Sequence, residues 1–353
     1  MERITTFGTC NLKDLINKDS RGNIQALMED PKHLYPLVSV VIPTRERPGL
    51  VGRAVKSALR QTLDEIEVIV VIDGPDEETF EVLHHIQDMR LLIIRSPIQI
   101  GAGEARNVGV KEARGKWIAF LDDDDEWLPQ KLEIQLQAAK QSSYLHPIIS
   151  CRFIARAEEG DLIWPRRYPK AKEPLSEYLF CQSGLFGGEG FIAIPSTLTT
   201  KELLKQVPFK KGLIAHHDWE WLLRVSTVEG VGLEFVPLMD PLVVCNMEKN
   251  RNRISSMTDW RYSLSWGETN RHLLTPRAYI SFLMVQVSLH AVRMREWRAF
   301  WSIFLKACQH GRPSLIDFLA YLLIWFIPQH IRSRIVILYD KVLPPRWSRN
   351  VGR

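Results

Sequence analysis

Four consecutive aspartates, Asp122 to Asp125, directly follow an apolar run in the segment WIAFLDDDDEWLPQ at 117–130. Carboxylates this close repel one another, so the cluster requires a counter-charge, solvation or raised pKa values. Residues two apart in an extended segment point to the same side, so Asp122 and Asp124 could face one ligand together. Two carboxylates at an otherwise open site suit Mg²⁺ or Mn²⁺, which keep several waters and bind substrate phosphates. Capping of the following helix is the alternative, but it accounts for only one or two of the carboxylates.

The elements that must position these aspartates alternate between strands and helices. Short apolar runs predict strands at 37–42, 66–72, 91–94 and 117–121, and segments with apolar residues at helical spacing lie between them. This alternation implies parallel strands with right-handed crossovers, and therefore an α/β fold with a mostly parallel sheet flanked by helices. In open sheets of this kind, ligands bind beyond the carboxyl ends of the strands.

Three of the four predicted strand ends carry polar or charged residues. The first strand leads into Pro43, Thr44 and Arg45, the second into Asp73, and the fourth into the aspartates. Because the carboxyl ends of neighbouring parallel strands lie at one edge of a sheet, we expect these residues to line a common crevice. Asp73 also has an ordinary explanation, since Asp-Gly-Pro is a frequent turn sequence.

The composition is that of a globular protein with a hydrophobic core, with 45% hydrophobic and 25% charged residues in a chain of 353. Five cysteines lie far apart without the spacing of a metal site, which favours a reducing compartment over a disulfide framework or structural zinc. They are Cys10, Cys151, Cys181, Cys245 and Cys308. The first residues contain no apolar core of signal-peptide length, so we expect a cytoplasmic protein.

The C-terminal part is both basic and apolar. From Arg251 onward the chain has 16 Lys and Arg against 5 Asp and Glu, whereas the preceding 250 residues have 30 against 36. Its apolar stretch FLAYLLIWFI at 318–327 is too short to cross a bilayer core, which takes a helix of about 20 residues. Residues 300–350 therefore either contact an anionic membrane surface or contain a buried helix with solvated basic neighbours. Nucleic acid is disfavoured, because the basic residues match no reader motif.

Several segments resemble family 2 glycosyltransferases, which have the GT-A fold. They are VSVVIPTRER at 38–47, VIVVIDGP at 68–75, GAGEARNVGVKEARGKWIAFLDDDDEWLP at 101–129 and KLEIQ at 131–135. The resemblance fades through 150–200 and returns at 208–225, PFKKGLIAHHDWEWLLRV. It implies a metal-dependent, inverting enzyme that moves a sugar from a nucleotide donor, preferably a UDP- or dTDP-sugar, to a hydroxyl of a glycan or glycolipid.

The resemblance also implies roles for individual residues. The donor would be bound by Pro43, Thr44, Arg45, Asp73, Arg106, Asn107, Asp122 and Asp123. Asp73 would accept the N3–H of a pyrimidine base, and Arg106 would balance the diphosphate or the acidic cluster, while Asn107 would hold that loop. Asp122 and Asp124 match the DxD motif and would bind Mn²⁺ or Mg²⁺, which neutralises charge on the departing diphosphate. Taken alone, Arg106 would be read as an ordinary arginine on a helix surface.

An inverting transfer needs a further carboxylate that takes the proton from the attacking hydroxyl. In HHDWEWLLR at 216–224, the resemblance puts Asp218 at this catalytic position, although a helix N-cap is the alternative role. His217 stands where the family usually has glutamate, so it departs from the pattern. His216 and His217 lack the further ligands that a metal site would need. Trp221 is expected in the core, and the role of Trp219 is left open between sugar stacking and core packing.

Three other functions fit the sequence less well. A nucleotidyltransferase would use a similar crevice but would more often carry a lysine in a glycine-rich loop, which PTRERPG lacks. A non-catalytic binding protein on the same fold is disfavoured by the intact acidic motif and Asp218. An NAD enzyme is disfavoured because Arg106 replaces the third glycine of GxGxxG and the segment does not follow the first strand.

The resemblance divides the chain into three expected regions. Residues 1–36 would form an irregular N-terminal extension, and 251–353 a basic, apolar helical region that could associate with a membrane. Residues 37–250 would form the GT-A domain. Within it, 37–140 would bind the nucleotide sugar, and 141–250 would supply the acceptor side and the base. The expected location is the cytoplasm, either free or peripheral at the inner face of the cytoplasmic membrane where the acceptor would be presented.

Overall fold

The computed structural model describes residues 2–5, 36–184, 189–237, 240–247 and 258–342. The larger sheet contains β1 (Glu2–Thr5), β2 (Val38–Thr44), β3 (Ile66–Ile72), β4 (Leu91–Arg95), β5 (Trp117–Phe120), β7 (His146–Ser150), β10 (Thr197–Thr200) and β11 (Val231–Phe235). The smaller sheet contains β6 (Glu126–Trp127), β8 (Phe153–Ala157), β9 (Gly160–Trp164) and β12 (Val243–Asn246).

The helices lie on both faces of the larger sheet and make up the C-terminal part. They are α1 (Pro48–Leu59), α2 (Glu77–His84), α3 (Ala102–Glu112), α4 (Lys131–Gln141), α5 (Leu175–Phe180), α6 (Lys201–Gln206), α7 (His217–Val225), α8 (Trp260–Thr269), α9 (Pro276–Phe282), α10 (Ser288–Arg293), α11 (Ala299–Gln309), α12 (Leu315–Phe326) and α13 (Gln329–Val342). A π-helical turn, Leu283–Val287, joins α9 to α10.

The larger sheet has the strand order β1-β4-β3-β2-β5-β10-β7-β11. The four strands predicted from apolar runs, β2 to β5, are parallel neighbours at its centre. Strand β10 runs antiparallel to both β5 and β7, and β11 is parallel to β7. The predicted α/β class, with a mostly parallel sheet flanked by helices, is confirmed.

The central strands are buried on both faces, which explains their continuous apolar sequences. In β2 every residue is buried, with Val41 on one face and Val40 and Ile42 on the other. Helix α3 packs closely on this strand at Gly109, where the absence of a side chain lets the helix backbone approach Val41. A Cβ at this position would overlap the Val41 side chain. This tight packing fixes α3 against β2 and β3.

The C-terminal part is helical throughout 260–342 apart from short turns, as predicted. Trp260, Trp266 and Trp325 are buried there, whereas Trp297 and Trp301 are exposed. In the part of the chain that the structure describes, no helix combines the length and apolar character needed to cross a membrane.

Two details differ from the expectations for chain organisation. Strand β1 pairs antiparallel with β4 where an irregular extension was predicted, and the remainder of 1–35 lies outside the described residues. The predicted boundary at residue 250 also lies outside them, so the division into regions stays a prediction.

Candidate active site

Arg106 is the centre of the candidate site. Helix α3 carries this guanidinium in a fully buried position, where its Nη2 donates to Asp122 Oδ1 at 2.6 Å and its Nη1 to Asp218 Oδ1 at 3.4 Å. Burial alone would lower the pKa of Arg106, but the two carboxylates outweigh burial and raise it. Three residues singled out from segments far apart in the sequence therefore meet in one ion-pair network.

Asp122 and Asp218 are the accessible carboxylates of this network. Their side chains are 33% and 34% exposed, whereas that of Arg106 is 3% exposed. Asp218 also lies 3.2 Å from Nε2 of His217. Burial is the main cause that lowers the pKa of His217, and the positive charge of Arg106 acts in the same direction. A neutral His217 with its proton on Nε2 would donate a hydrogen bond to Asp218 and orient it.

Asp123 is turned inward and joins the acidic segment to the end of β2. Its carboxylate accepts a hydrogen bond from Thr44 Oγ1 at 2.8 Å and pairs with Arg47 Nη1 at 2.9 Å. Burial raises the pKa of Asp123 to about 6, although the charge of Arg47 opposes this effect. Arg47 also lies 3.6 Å from Asp124, so it is the second cation of the acidic cluster.

The acidic segment forms a turn, in which the Asp125 backbone N–H donates to the Asp122 carbonyl at 3.1 Å. The extended conformation assumed for these residues is therefore wrong, and strand alternation does not determine which side chains point together. Asp122 contacts Arg106 instead, while Asp123 and Asp124 share Arg47. Two arginines therefore offset part of the negative charge of the turn. The segment does not continue as a strand, because the hydrogen bond from Asp125 to Asp122 closes the turn first.

Asp125 is buried and contributes to the structure of the turn. Its Oδ1 accepts the backbone N–H of Asn246 at 3.0 Å, and the Asn246 side chain donates to the Asp124 carbonyl at 2.6 Å. Burial, followed by repulsion from Asp122 and Asp124, raises the pKa of Asp125 well above its usual range. Strand β12 thus holds the acidic turn through Asn246.

The donor chemistry of the turn fits the expected metal ion. Asp122 and Asp124 offer hard carboxylate oxygens of the kind that Mg²⁺ and Mn²⁺ prefer. Within the ranges that the structure describes, no set of three or more His, Cys, Asp or Glu side chains is arranged to hold a metal ion. A metal at this turn would therefore take its remaining ligands from water and from the phosphates of a substrate.

Asp73 and Asn107 hold the backbone around this network. The Asp73 carboxylate, at the end of β3, accepts the backbone N–H groups of Ile100 and Gly101, the latter at the start of α3. The Asn107 side chain exchanges two hydrogen bonds of 2.9 Å with the backbone of Phe209. Asn107 therefore joins α3 to the segment that leads into α7, which brings Asp218 close to Arg106.

The remaining predicted donor residues, Pro43 and Arg45, flank Thr44 at the end of β2. Pro43 is buried within the strand, whereas Arg45 is half-buried and donates to Glu46 at 3.1 Å. Their contact with a nucleotide base stays a prediction, as does the pairing of Asp73 with a pyrimidine.

Helix α7 carries Asp218 in its first turn. Trp221 is fully buried, as expected, and Trp219 packs against Phe180 and the ring of His216. The second acidic residue, Glu220, is buried in an ion pair with Arg224. Glu220 therefore stabilises the helix, and Asp218 is the carboxylate of α7 that faces the network.

The start of α7 depends on a buried polar chain that sequence reasoning did not find. His216 has the left-handed φ of 63°, and its Nε2 lies 2.9 Å from Ser263 Oγ in α8. Ser263 in turn lies 2.7 Å from Nδ1 of His290 in α10. Burial lowers the pKa of His216 to about 3 and that of His290 to about 4. Neither α8 nor α10 has a sequence motif that would have pointed to this contact.

Comparisons with known proteins identify the family of this chain. Residues 39–207 match the model of glycosyl transferase family 2. Over 202 residues the chain is 32% identical to WcaA of Escherichia coli K12, whose name assigns it provisionally to the glycosyl transferases of colanic acid biosynthesis. That match covers 55% of this chain and 68% of WcaA. The chain therefore belongs to glycosyl transferase family 2 and is an enzyme of that class.

A second relative and a solved structure extend the comparison. Over 100 residues the chain is 37% identical to WfaP of Escherichia coli, named a UDP-Glc:alpha-D-GlcNAc-diphosphoundecaprenol beta-1,3-glucosyltransferase; the match covers 28% of this chain and 40% of WfaP. The crystal structure of S. aureus TarS 1-349 in complex with UDP-GlcNAc has a TM-score of 0.52 at 16% identity, covering 86% of this chain and 90% of that one. The predicted GT-A fold is thereby confirmed.

Proposed function

We propose that this enzyme transfers a sugar from a nucleotide diphosphate to a hydroxyl of a glycan or glycolipid, with inversion at the anomeric carbon. The observation that carries the proposal is the Arg106 bridge between Asp122 and Asp218. Arg106 contacts both carboxylates: Asp122, which suits a metal–diphosphate complex, and Asp218, which suits the role of base. A donor diphosphate and an acceptor hydroxyl would therefore meet within a few ångströms of one another.

The proposed donor is a UDP- or dTDP-sugar. Support comes from the relative WfaP, whose name includes UDP-Glc, and from the solved structure of the same fold with UDP-GlcNAc. Thr44 and Asp73 lie at the ends of neighbouring strands, where nucleotides bind in sheets of this type. Pro43 and Arg45 would line the base and ribose beside them.

In the proposed reaction the acceptor oxygen forms a bond to the anomeric carbon while the bond from this carbon to the diphosphate oxygen breaks. Asp218 takes the proton of the acceptor hydroxyl, and the electron pair of the broken bond leaves with the nucleoside diphosphate. The ion pair with Arg106 Nη1, at 3.4 Å, holds the Asp218 carboxylate in place. A hydrogen bond from His217 would orient the same carboxylate.

Asp122 and Asp124 would hold Mn²⁺ or Mg²⁺, which supplies charge stabilisation for the leaving diphosphate when bound. Arg106 would contribute to the same stabilisation, because its guanidinium lies beside Asp122. Asp123 would support the site indirectly through Thr44 and Arg47, whose contacts fix the turn.

We further propose that the acceptor is lipid-linked and that the enzyme works in the cytoplasm at the inner face of the cytoplasmic membrane. The named acceptor of WfaP, a diphosphoundecaprenol-linked sugar, supports this class of acceptor. The basic and apolar character of the C-terminal helices supports the location.

Calorimetric titration of UDP, dTDP, GDP and NAD, each with and without Mn²⁺, tests the donor site. We expect metal-dependent binding of a pyrimidine diphosphate that Asp124→Asn abolishes. The control Asp161→Asn alters an exposed ion pair with Arg156 on β8 and β9 and should bind as wild type does. Asp218→Asn should bind the nucleotide but lose sugar transfer. Nucleotide binding that is unchanged by removal of Mn²⁺ and by Asp124→Asn would exclude the proposed donor site.

A further inference from the structure

Helix α12 exposes apolar side chains where a surface helix normally carries polar ones. Its buried side contains Ala320, Tyr321, Ile324 and Trp325. Its exposed positions recur at helical spacing and are also apolar: Leu315 is 73% exposed and Phe326 is 64% exposed, with Phe318 and Leu319 between them. The charged residue of the helix, Asp317, is buried in the capping box with Ser314. A helix that is apolar on all sides is expected to be covered on all sides.

Helix α11 continues this apolar surface. Trp301 is 65% exposed and Leu305, one turn later, is 57% exposed. The Trp301 ring contacts both Phe300 and Phe304. Phe300 in turn contacts Phe326, and Phe304 contacts Phe318, so the rings of α11 and α12 form one continuous layer. We call this surface the aromatic face; it consists of Trp301, Leu305, Leu315, Phe318, Leu319 and Phe326.

The segment that carries the aromatic face is rich in basic residues. Residues 293–338 contain seven Lys and Arg against two acidic residues, Glu296 and the buried Asp317. Arg298 lies just before α11, Arg312 lies in the turn between α11 and α12, and both are exposed. This combination of apolar centre and basic surroundings matches a bilayer surface that contains anionic lipid.

We propose that the aromatic face docks on the surface of a bilayer that contains anionic phospholipid. Tryptophan and phenylalanine suit the boundary between headgroups and acyl chains, and nearby arginines suit the phosphates. A second copy of this chain fits less well, because a two-fold contact would place the same basic surroundings against each other. The two helices would lie along the membrane surface.

Docking at this face would orient the candidate active site. Helix α12 packs against the π-helical turn that follows α9, and Phe282 at the end of α9 contacts Phe180 and Trp219 beside the base. The docking helices and Asp218 therefore belong to one packed helical layer. The functional role of this docking rests on the proposed transfer to a lipid-linked acceptor. Binding of the aromatic face to a bilayer can nevertheless be measured without donor or acceptor.

Sedimentation with vesicles tests the proposal on the full chain. Vesicles of phosphatidylcholine alone are compared with vesicles that contain one-third phosphatidylglycerol. We expect wild type to sediment with the anionic vesicles and the variant Trp301→Ser, Leu315→Ser, Phe326→Ser to bind them at least about tenfold more weakly. Arg298→Gln with Arg312→Gln should remove most of the preference for phosphatidylglycerol, and added salt should do the same for wild type.

A matched control replaces three apolar residues that are exposed elsewhere. Met89→Ser, Ile98→Ser, Leu145→Ser changes side chains that are 54%, 66% and 74% exposed and should bind vesicles as wild type does. Equal binding by wild type and the α11–α12 variant would overturn the proposal. So would a wild-type dimer in analytical ultracentrifugation that the α11–α12 variant converts to monomer without any vesicle binding. Calorimetry of UDP with Mn²⁺ on all variants separates a failure of docking from a failure of the donor site.

Discussion

Removing the two partners of Arg106 one at a time and then together should have unequal effects on stability. Either Asp122→Asn or Asp218→Asn leaves the guanidinium one carboxylate partner. Both carboxylates are about one-third exposed, so each single change should lower the free energy of unfolding by about 1 kcal/mol or less. The double variant leaves a fully buried cation without either carboxylate, which should cost about 3 to 5 kcal/mol. Asp123 still attracts Arg106, so we expect the lower end of this range.

The assay is urea denaturation at neutral pH with divalent metal removed, for wild type, both single variants and the double variant. A triple variant that adds Arg106→Met should recover much of the loss, because it removes the unpaired buried charge. Asp161→Asn, whose partner Arg156 is exposed, serves as a surface control and should change stability very little. Additivity of the two single effects to within about 0.5 kcal/mol would refute the bridge, as would a triple variant no more stable than the double.

Three further predictions concern buried groups around the site. The pKa of His290 is about 4, against 6.5 in the unfolded chain, so the unfolded chain binds its proton more readily. The contribution of neutral His290 to the free energy of unfolding is therefore complete well above pH 6.5 and falls as the pH drops towards 4, by about 2 kcal/mol at pH 5. Urea denaturation at pH 8 and pH 5 should show that the free energy of unfolding falls by about 2 kcal/mol more in wild type than in His290→Gln. The pKa of Asp125 is raised well above its usual range by burial, and its Oδ1 accepts the Asn246 N–H. Asparagine keeps a side-chain oxygen at this position, so thermal denaturation should show Asp125→Asn close to wild type. Asp125→Ala should be less stable by about 1 to 3 kcal/mol, because the Asn246 N–H is left unpaired, and equal stability of these two variants would contradict this. Asn107→Leu removes both hydrogen bonds to Phe209 and should lower the free energy of unfolding by about 2 to 4 kcal/mol in urea denaturation. An unchanged free energy of unfolding would mean that these two hydrogen bonds do not hold α7 in place.

The centre of the fold could be predicted because its signals are local. Each strand from β2 to β5 is a mainly apolar run, and the polar residues that follow β2, β3 and β5 mark their carboxyl ends. Helix α3 was also foreseeable, since its apolar positions recur at helical spacing. Family resemblance then linked Arg106, Asp122 and Asp218, which no periodicity could have brought together.

The other half of the sheet could not be predicted because its pairings join distant segments. Leu198 in β10 pairs with Ala119 in β5, and β11 pairs with β7, although neither contact leaves a local pattern. The conformation of the acidic segment was predicted wrongly for a related reason. Strand alternation past Leu121 predicts that Asp122 and Asp124 point to the same side, but the hydrogen bond from the Asp125 N–H to the Asp122 carbonyl closes a turn there.

The partners of the acidic turn have a consequence for the order in which this chain can fold during synthesis. Thr44 precedes Asp123 by 79 residues, and Asn246 follows Asp125 by 121. A ribosome therefore releases β2, β5 and the aspartates long before β12, whose residue Asn246 completes the turn. Contacts of such sequence separation form late, so the turn stays unfinished until nearly the whole domain has emerged. Nucleotide binding by a nascent chain should consequently begin only after β12 has left the exit tunnel, and it would report that the domain is complete.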